Sequence, residues 1–447
     1  MKIKKQILIT LMIISIFIST LIYTNPVQAT NSTATNSTSP TPNFTVSAEG
    51  AILIDSKTGK VLYGKNENEK LYPASTTKIL TAILAIEHCN PTDKITASYD
   101  AVMSLPSGYA NAAIQPGETL TFQELLDMFL IHSANEIGTI LAEHISGSVE
   151  NFAILMNQKV ASLGCKNTHF TNPSGIHDVE HYSTPYDMSL IAQYCMKNET
   201  FRNTVSKVSC TIEPTDKYER RYFRNTNELI NPSSNYYYEY AIGTKTGYTS
   251  QAKRCLIATA SKDNLELITV ILGDQPTMDD SRYRDTIKMF EYGFSNYKTQ
   301  QIATKNNIIE EIIVDGATKD TENLSLLLKD DLIALMPKNM TSANLNPTIK
   351  LNELIEAPVS EGTVLGKITY TIEGIEYSSD LIASHSVEAF DLKTTLMQIA
   401  LALFVLFILS KMFLSKKKTK KRNYKNKKYN SKKRMNYKKS NDSIYKF

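Results

Sequence analysis

The stretch "YPASTTKILTAILAIEH", Tyr72 to His88, reads as an apolar helix with one residue out of place. Beyond the first turn almost every side chain is apolar, yet Lys78 stands in that turn, three residues after Ser75. Residues i and i+3 of a helix share a face, with Cβ atoms roughly 5–6 Å apart, so the Ser75 hydroxyl is within reach of the Lys78 amine. A serine hydroxyl is a poor nucleophile until a neighbouring base activates it. Burial disfavours the charged form of lysine, which would leave a neutral amine able to take the serine proton. The positive end of the helix would favour a developing oxyanion. A Ser-x-x-Lys pair alone is weak evidence, because a lysine can also bury its stem and keep its charge in water.

Two further motifs strengthen it. "SAN", Ser133 to Asn135, lies in a text of helical spacing, where Asn135 can bind a substrate amide and Ser133 can relay a proton. "KTG", Lys245 to Gly247, lies in a strand-like run. Gly247 leaves room for a ligand backbone against that strand, while Lys245 and Thr246 add a cation and a hydroxyl.

The surrounding text alternates strand and helix signals. "GAILIDSKTGKVLYGK" is two apolar runs around a turn, a hairpin signal. Three segments with helical spacing fill the middle, ending in "TPYDMSLIAQYCMKN". "YAIGTKTGYT", "RCLIATASK" and "LELITVILGD" are β-rich runs with short polar links, and "DTIKMFEYGFSNY" closes the region as a helix. Strands at both ends and helices between predict an α+β domain over residues 44–298 whose two ends share an antiparallel sheet. Short β runs over 299–390 predict a small β-sandwich, with no nucleophile constellation of its own.

The ends of the chain carry different signals. Lys2, Lys4 and Lys5, an apolar run and "VQA" read as a signal peptide over residues 1–29. The low-complexity text of residues 30–43 reads as a disordered linker. Thr394 to Ser410 is an uncharged, mostly apolar run, near the lower limit of the roughly 20 residues of a span. Snorkelling of Lys411 would extend it to 394–414. The net charge of +4 hides a segregation. Residues 30–392 hold 29 basic against 44 acidic side chains, whereas residues 411–447 hold 16 against one. A basic tail after an apolar run marks the cytoplasmic side of a membrane and contact with anionic lipid, so no nucleic-acid partner is expected. Five scattered cysteines give neither a disulfide framework nor a metal pattern, and buried free thiols are expected.

Ser-x-x-Lys, a middle Ser-x-Asn and Lys-Thr-Gly together form the signature of penicillin-binding proteins and class A β-lactamases, here with Ala134 at the middle position. The region from about Val46 to Tyr297 resembles the low-molecular-weight penicillin-binding proteins that are serine-type D-Ala-D-Ala carboxypeptidases. The likeness includes "HYSTPYDMSLIAQY", "GTKTGYT" and "SRYRDTIKMFEYGF". The region to about residue 390, with "APVSEGTVLGKI", is similar to that family's C-terminal β-domain. The resemblance implies a penicillin-binding-protein/β-lactamase-like fold, a substrate stem peptide ending in D-Ala-D-Ala, and acylation by β-lactams, with no cofactor. It implies Ser75 as nucleophile, Lys78 as base and Ser133 as proton relay. It also implies Asn135 as amide binder, Lys245, Thr246 and Arg282 around the substrate carboxylate, and backbone N–H groups of Ser75 and Tyr248 as the oxyanion hole. Glu136 departs from the Asp frequent in that family, which the resemblance limits to a secondary contact. Two alternatives remain: a β-lactamase, for which "ETFRN" (Glu199 to Asn203) would supply the second base, and a catalytically silent wall-binding protein.

Overall fold

The computed structural model describes residues 40–441. The expected signal peptide, residues 30–39 of the expected linker and the last six residues of the tail lie outside the described residues. From Pro40 the chain runs along the body: the Pro40 carbonyl accepts a hydrogen bond from the Tyr292 hydroxyl at 2.7 Å, and Phe44 stacks on Tyr63.

The first hairpin is β1 (Gly50–Asp55) and β2 (Val61–Lys65). Its turn is closed by Asp55, whose carboxylate accepts from the backbone N–H and hydroxyl of Thr58. A 3₁₀ turn, Ala74–Thr77, leads into α1 (Lys78–His88). The middle of the chain supplies β3 (Lys94–Thr96), α2 (Tyr99–Met103), β4 (Thr119–Thr121) and α3 (Phe122–Asp127). Then come α4 (Glu136–Ser146), α5 (Val149–Ser162), α6 (Pro185–Met196), α7 (Glu199–Val205), β5 (Ser209–Ile212) and β6 (Arg221–Arg224). The domain closes with β7 (Ala241–Thr249), β8 (Lys253–Lys262), β9 (Leu265–Asp274) and α8 (Ser281–Asn296).

Both ends of this region share one antiparallel sheet, in the order β2-β1-β9-β8-β7. Its central strands read as continuous apolar runs because both faces are covered. Cys255, Ile257, Ile268 and Val270 point into the core under the helices, while Leu256, Ala258, Leu267 and Ile271 pack against α8. The α+β organisation follows from this period-two split.

One expectation needs correcting. The text around "SAN" is not a continuous helix. A single π turn, Met128–His132, ends at Ser133, whose φ of 70° lies in the left-handed region. The Asn135 N–H then bonds the distant Ala110 carbonyl at 2.9 Å. A tertiary acceptor takes the place of the helical one, and local spacing does not reveal it.

The β region holds β10 (Tyr297–Ala303), β11 (Ile308–Ile313), β12 (Asn323–Leu328), β13 (Leu332–Pro337), β14 (Thr348–Leu351), β15 (Val364–Ile372) and β16 (Ile375–Ala383). A five-stranded sheet, β11-β12-β16-β15-β14, accompanies the β10-β13 pair. Leu324, Leu326 and Leu328 alternate into its separate core. A helix, α9 (Leu392–Asn441), follows, and its segment Leu392–Met412 is apolar and exposed, with a mean hydropathy of 2.1. At 1.5 Å per residue those 21 residues extend about 30 Å, the thickness of a hydrocarbon layer.

A buried ion pair ties the β3–β4 region to β6. Arg221 Nη2 donates to both Glu118 oxygens at 2.6 and 2.7 Å, and Glu118 is fully buried. Burial works against the charge, but the Arg221 bonds and those from Gln115 and Thr215 outweigh it and hold this carboxyl below its usual range. The stabilisation is therefore present at neutral pH and is lost as acid titrates through that lowered value. Glu118→Ala leaves Arg221 buried without its partner, so urea unfolding at pH 7 is expected to show a loss of about 3–5 kcal/mol. A loss below about 1 kcal/mol, the range of surface pairs, would contradict this.

Candidate active site

The Ser75 turn is bent by its predecessor. Ala74 has φ 46° and is buried, and Thr76 fastens the turn through its N–H and hydroxyl to the Pro73 carbonyl. Two glycines let other segments close on it. A Cβ on Gly175, at φ 77°, would sit 1.9 Å from the Ala74 carbonyl oxygen. One on Gly247 would sit 3.0 Å from the Ser75 nitrogen, so β7 passes the Ser75 turn at backbone distance.

Lys78 is 0% exposed. Its ammonium nitrogen lies 2.8 Å from Ser75 Oγ, 2.7 Å from Asn135 Oδ1 and 2.6 Å from the Ser174 carbonyl oxygen. Burial, and then the charge of Lys245, push its pKa well below the ordinary lysine value, while Glu136 pulls the other way. Asn135 turns its amide nitrogen to the Ala110 carbonyl at 2.9 Å, which fixes its oxygen toward the lysine.

A groove of about 610 Å³ opens over this cluster. Ser75, Ser133, Asn135, Thr246, Tyr248 and Arg282 all line it. The sequence-selected residues are thus brought together, with two qualifications. Ser133 borders the groove but makes none of the three Lys78 hydrogen bonds. Lys245 lies beneath the surface, 1% exposed, with its nitrogen 2.9 Å from the Thr246 carbonyl oxygen. Burial, then Arg282, push its pKa down to about 7. The cation that reaches the groove is Arg282, which bonds the Gly247 and Cys255 carbonyls and pairs with Asp280 at 3.0 Å. The Thr246 hydroxyl lies 2.6 Å from that of Thr226.

Sequence reasoning gave no role to the Asn172–Ile176 loop, which supplies the Ser174 carbonyl. Asn172 Oδ1 accepts from the backbone N–H groups of Ser174, Gly175 and Ile176, folding the loop into a tight turn. The Asn-Pro and Ser-Gly pairs in "NPSG" are the turn signals that could have drawn attention to it. Glu199, the second base that a β-lactamase reading needs, is exposed on α7 and does not line the groove.

A family model for D-alanyl-D-alanine carboxypeptidase matches residues 34–276, and one for the penicillin-binding protein 5 C-terminal domain matches residues 297–389. The chain is 35% identical over 337 residues to D-alanyl-D-alanine carboxypeptidase DacF of Bacillus subtilis, covering 73% of this chain and 82% of that one. It is 28% identical to D-alanyl-D-alanine carboxypeptidase DacA of Haemophilus influenzae, covering 75% and 83%. The solved structure of penicillin binding protein 5 from Haemophilus influenzae superposes with a TM-score of 0.64 at 27% identity, covering 78% of this chain and all of that one. With the fold, both matched regions and the clustered motifs in agreement, the chain belongs to the D-alanyl-D-alanine carboxypeptidase family of low-molecular-weight penicillin-binding proteins.

Proposed function

We propose that this serine-type D-Ala-D-Ala carboxypeptidase works through an acyl-enzyme on Ser75, with Lys78 as its base. The observation that carries the reading is the 2.8 Å contact between the Ser75 hydroxyl and a lysine nitrogen without solvent exposure. The neutral Lys78 amine takes the Ser75 proton as Oγ bonds the carbonyl carbon of the penultimate D-alanine. The tetrahedral intermediate collapses, the C–N bond breaks, and the terminal D-alanine leaves as its nitrogen takes up a proton. Water then cleaves the ester and restores Ser75. Backbone N–H groups of Ser75 and Tyr248 are assigned to the oxyanion, Asn135 to the substrate amide and Ser133 to the proton path. A β-lactam presents a strained amide to the same hydroxyl and leaves a penicilloyl ester.

The substrate terminus is a carboxylate, and Arg282 with the Thr246 hydroxyl offers it a charged, groove-lining partner. Lys245 contributes positive field from beneath.

The apolar C-terminal helix is a membrane anchor of the kind this architecture carries. We assign residues 30–392 to the outer side and the basic tail to the cytoplasm, against anionic lipid and away from nucleic acid.

Three outcomes test these assignments. Ser75→Ala should abolish release of D-alanine from a pentapeptide, and Lys78→Ala should lower it by about 10²–10⁴-fold while leaving the melting temperature near wild type. A Lys78→Ala enzyme of ordinary activity contradicts the base assignment. Amidating the substrate carboxylate should cost the wild type about 1.5–3 kcal/mol in kcat/KM, and Arg282→Ala much less, because both changes remove one interaction. Equal costs in both enzymes would move recognition away from Arg282. Carbonate washing should leave the full chain in the membrane, whereas release by salt alone would reduce α9 to a surface anchor.

A further inference from the structure

Glu136 is the first residue of α4 and follows Asn135, which holds Lys78. It is 2% exposed. Its Oε1 accepts the Ala112 N–H at 2.6 Å, and its Oε2 is buried with no polar partner among the described residues. Hydrogen bonding alone therefore leaves half of this carboxylate unexplained. Burying an ionised carboxylate is costly unless a nearby charge compensates it.

The charges on Lys78 itself are unbalanced without Glu136. Protonated Lys245 on β7 repels it. Titratable groups on several of the elements packed around Lys78 are engaged elsewhere. His181 sits between the Thr77 hydroxyl and the Thr171 N–H, and burial keeps it neutral, with a pKa near 3. His132 on the π turn faces the Asn111 carbonyl, and Asp187 on α6 accepts from the Asn167 N–H and the Thr168 hydroxyl. Cys195 points its thiol to the Ile79 carbonyl, and Arg202 on α7 pairs with Glu266. On the side of Glu136, Glu118 is committed to Arg221, while Asp100 on α2 and Lys94 on β3 are exposed. Among the described residues, no acidic side chain lines the groove.

We infer that Glu136 is a positioning residue whose buried negative charge sets the proton affinity of Lys78, and with it the pH at which Ser75 becomes reactive. The inference rests on Lys78 being the base. Glu136 is not among the groove-lining residues, so its inferred action on the reaction is through the lysine. A buried carboxylate next in the chain to Asn135, which bonds Lys78, stabilises the ammonium and holds the acid limb of the rate profile at higher pH than burial and Lys245 would. Burial raises the carboxyl's own pKa, while the Ala112 N–H and the charge of Lys78 oppose that rise.

The test is the pH dependence of the second-order rate of acylation by benzylpenicillin, measured on the full chain in detergent. Glu136→Gln keeps the shape and removes the charge. Its acid limb should move to lower pH by about one unit or more. Glu136→Asp keeps the charge and shortens the reach to the Ala112 N–H. Its limb should stay near wild type even where its maximal rate and melting temperature fall. A Gln limb that superposes on wild type overturns the inference, as does an Asp limb displaced downward by a unit. If Glu136→Gln does not fold, the position of the Asp limb decides. Lys78→Ala, run alongside, separates the two claims. Its loss of acylation with an unmoved Gln limb rejects Glu136 alone, whereas acylation retained by Lys78→Ala rejects the base assignment and the inference together.

Discussion

An ammonium group cut off from water must find acceptors or give up its proton, and the active region is built around that constraint at Lys78. Its three neighbouring acceptors come from three parts of the chain: Ser75 from its own turn, Asn135 from the start of α4, and Ser174 from the loop before α6. With all three in place the nitrogen is held whether or not it is charged. Protonated, it can donate to all three. Neutral, it donates to two and can accept from the Ser75 hydroxyl. The proposed base role of the lysine draws on that difference.

The fold makes this convergence possible by backbone proximity. Gly175 presses the Ser174 loop against the Ala74 carbonyl at a distance no side chain would permit, and Gly247 lets β7 pass the Ser75 nitrogen more tightly than side chains ordinarily do. The sheet brings β7 there because the first and last strands of the domain pair, with β8 and β9 carrying the chain back across. Cores on both faces fix that sheet. The groove is thus bounded by the Ser75 turn, β7 and the start of α4, with Arg282 at its surface and Lys245 beneath it.

Much of this was legible in the sequence because the signals were strong and local. The hairpin around Lys57–Gly59, the apolar β8 and β9 and the three motifs each carry a period or a residue pattern. Less legible were features set by distant partners. The break at Ser133 depends on the Ala110 carbonyl, and the three-residue β3–β4 ladder is too short to show a period. Lys245 reads as a groove cation from its strand, yet the packing of β7 buries it and gives that place to Arg282. The Ser174 carbonyl is backbone, so no side-chain pattern announces it.

The proton affinity of Lys78 is the quantity on which the account turns. It can be read by titrating the ¹³Cε resonances of labelled lysines, with Lys78 assigned by its absence in a Lys78→Met variant. The account predicts that this signal titrates well below the exposed lysines, with a neutral amine at the pH of activity. A Lys78 signal that titrates with the exposed lysines, near the ordinary value of about 10.4, would contradict it.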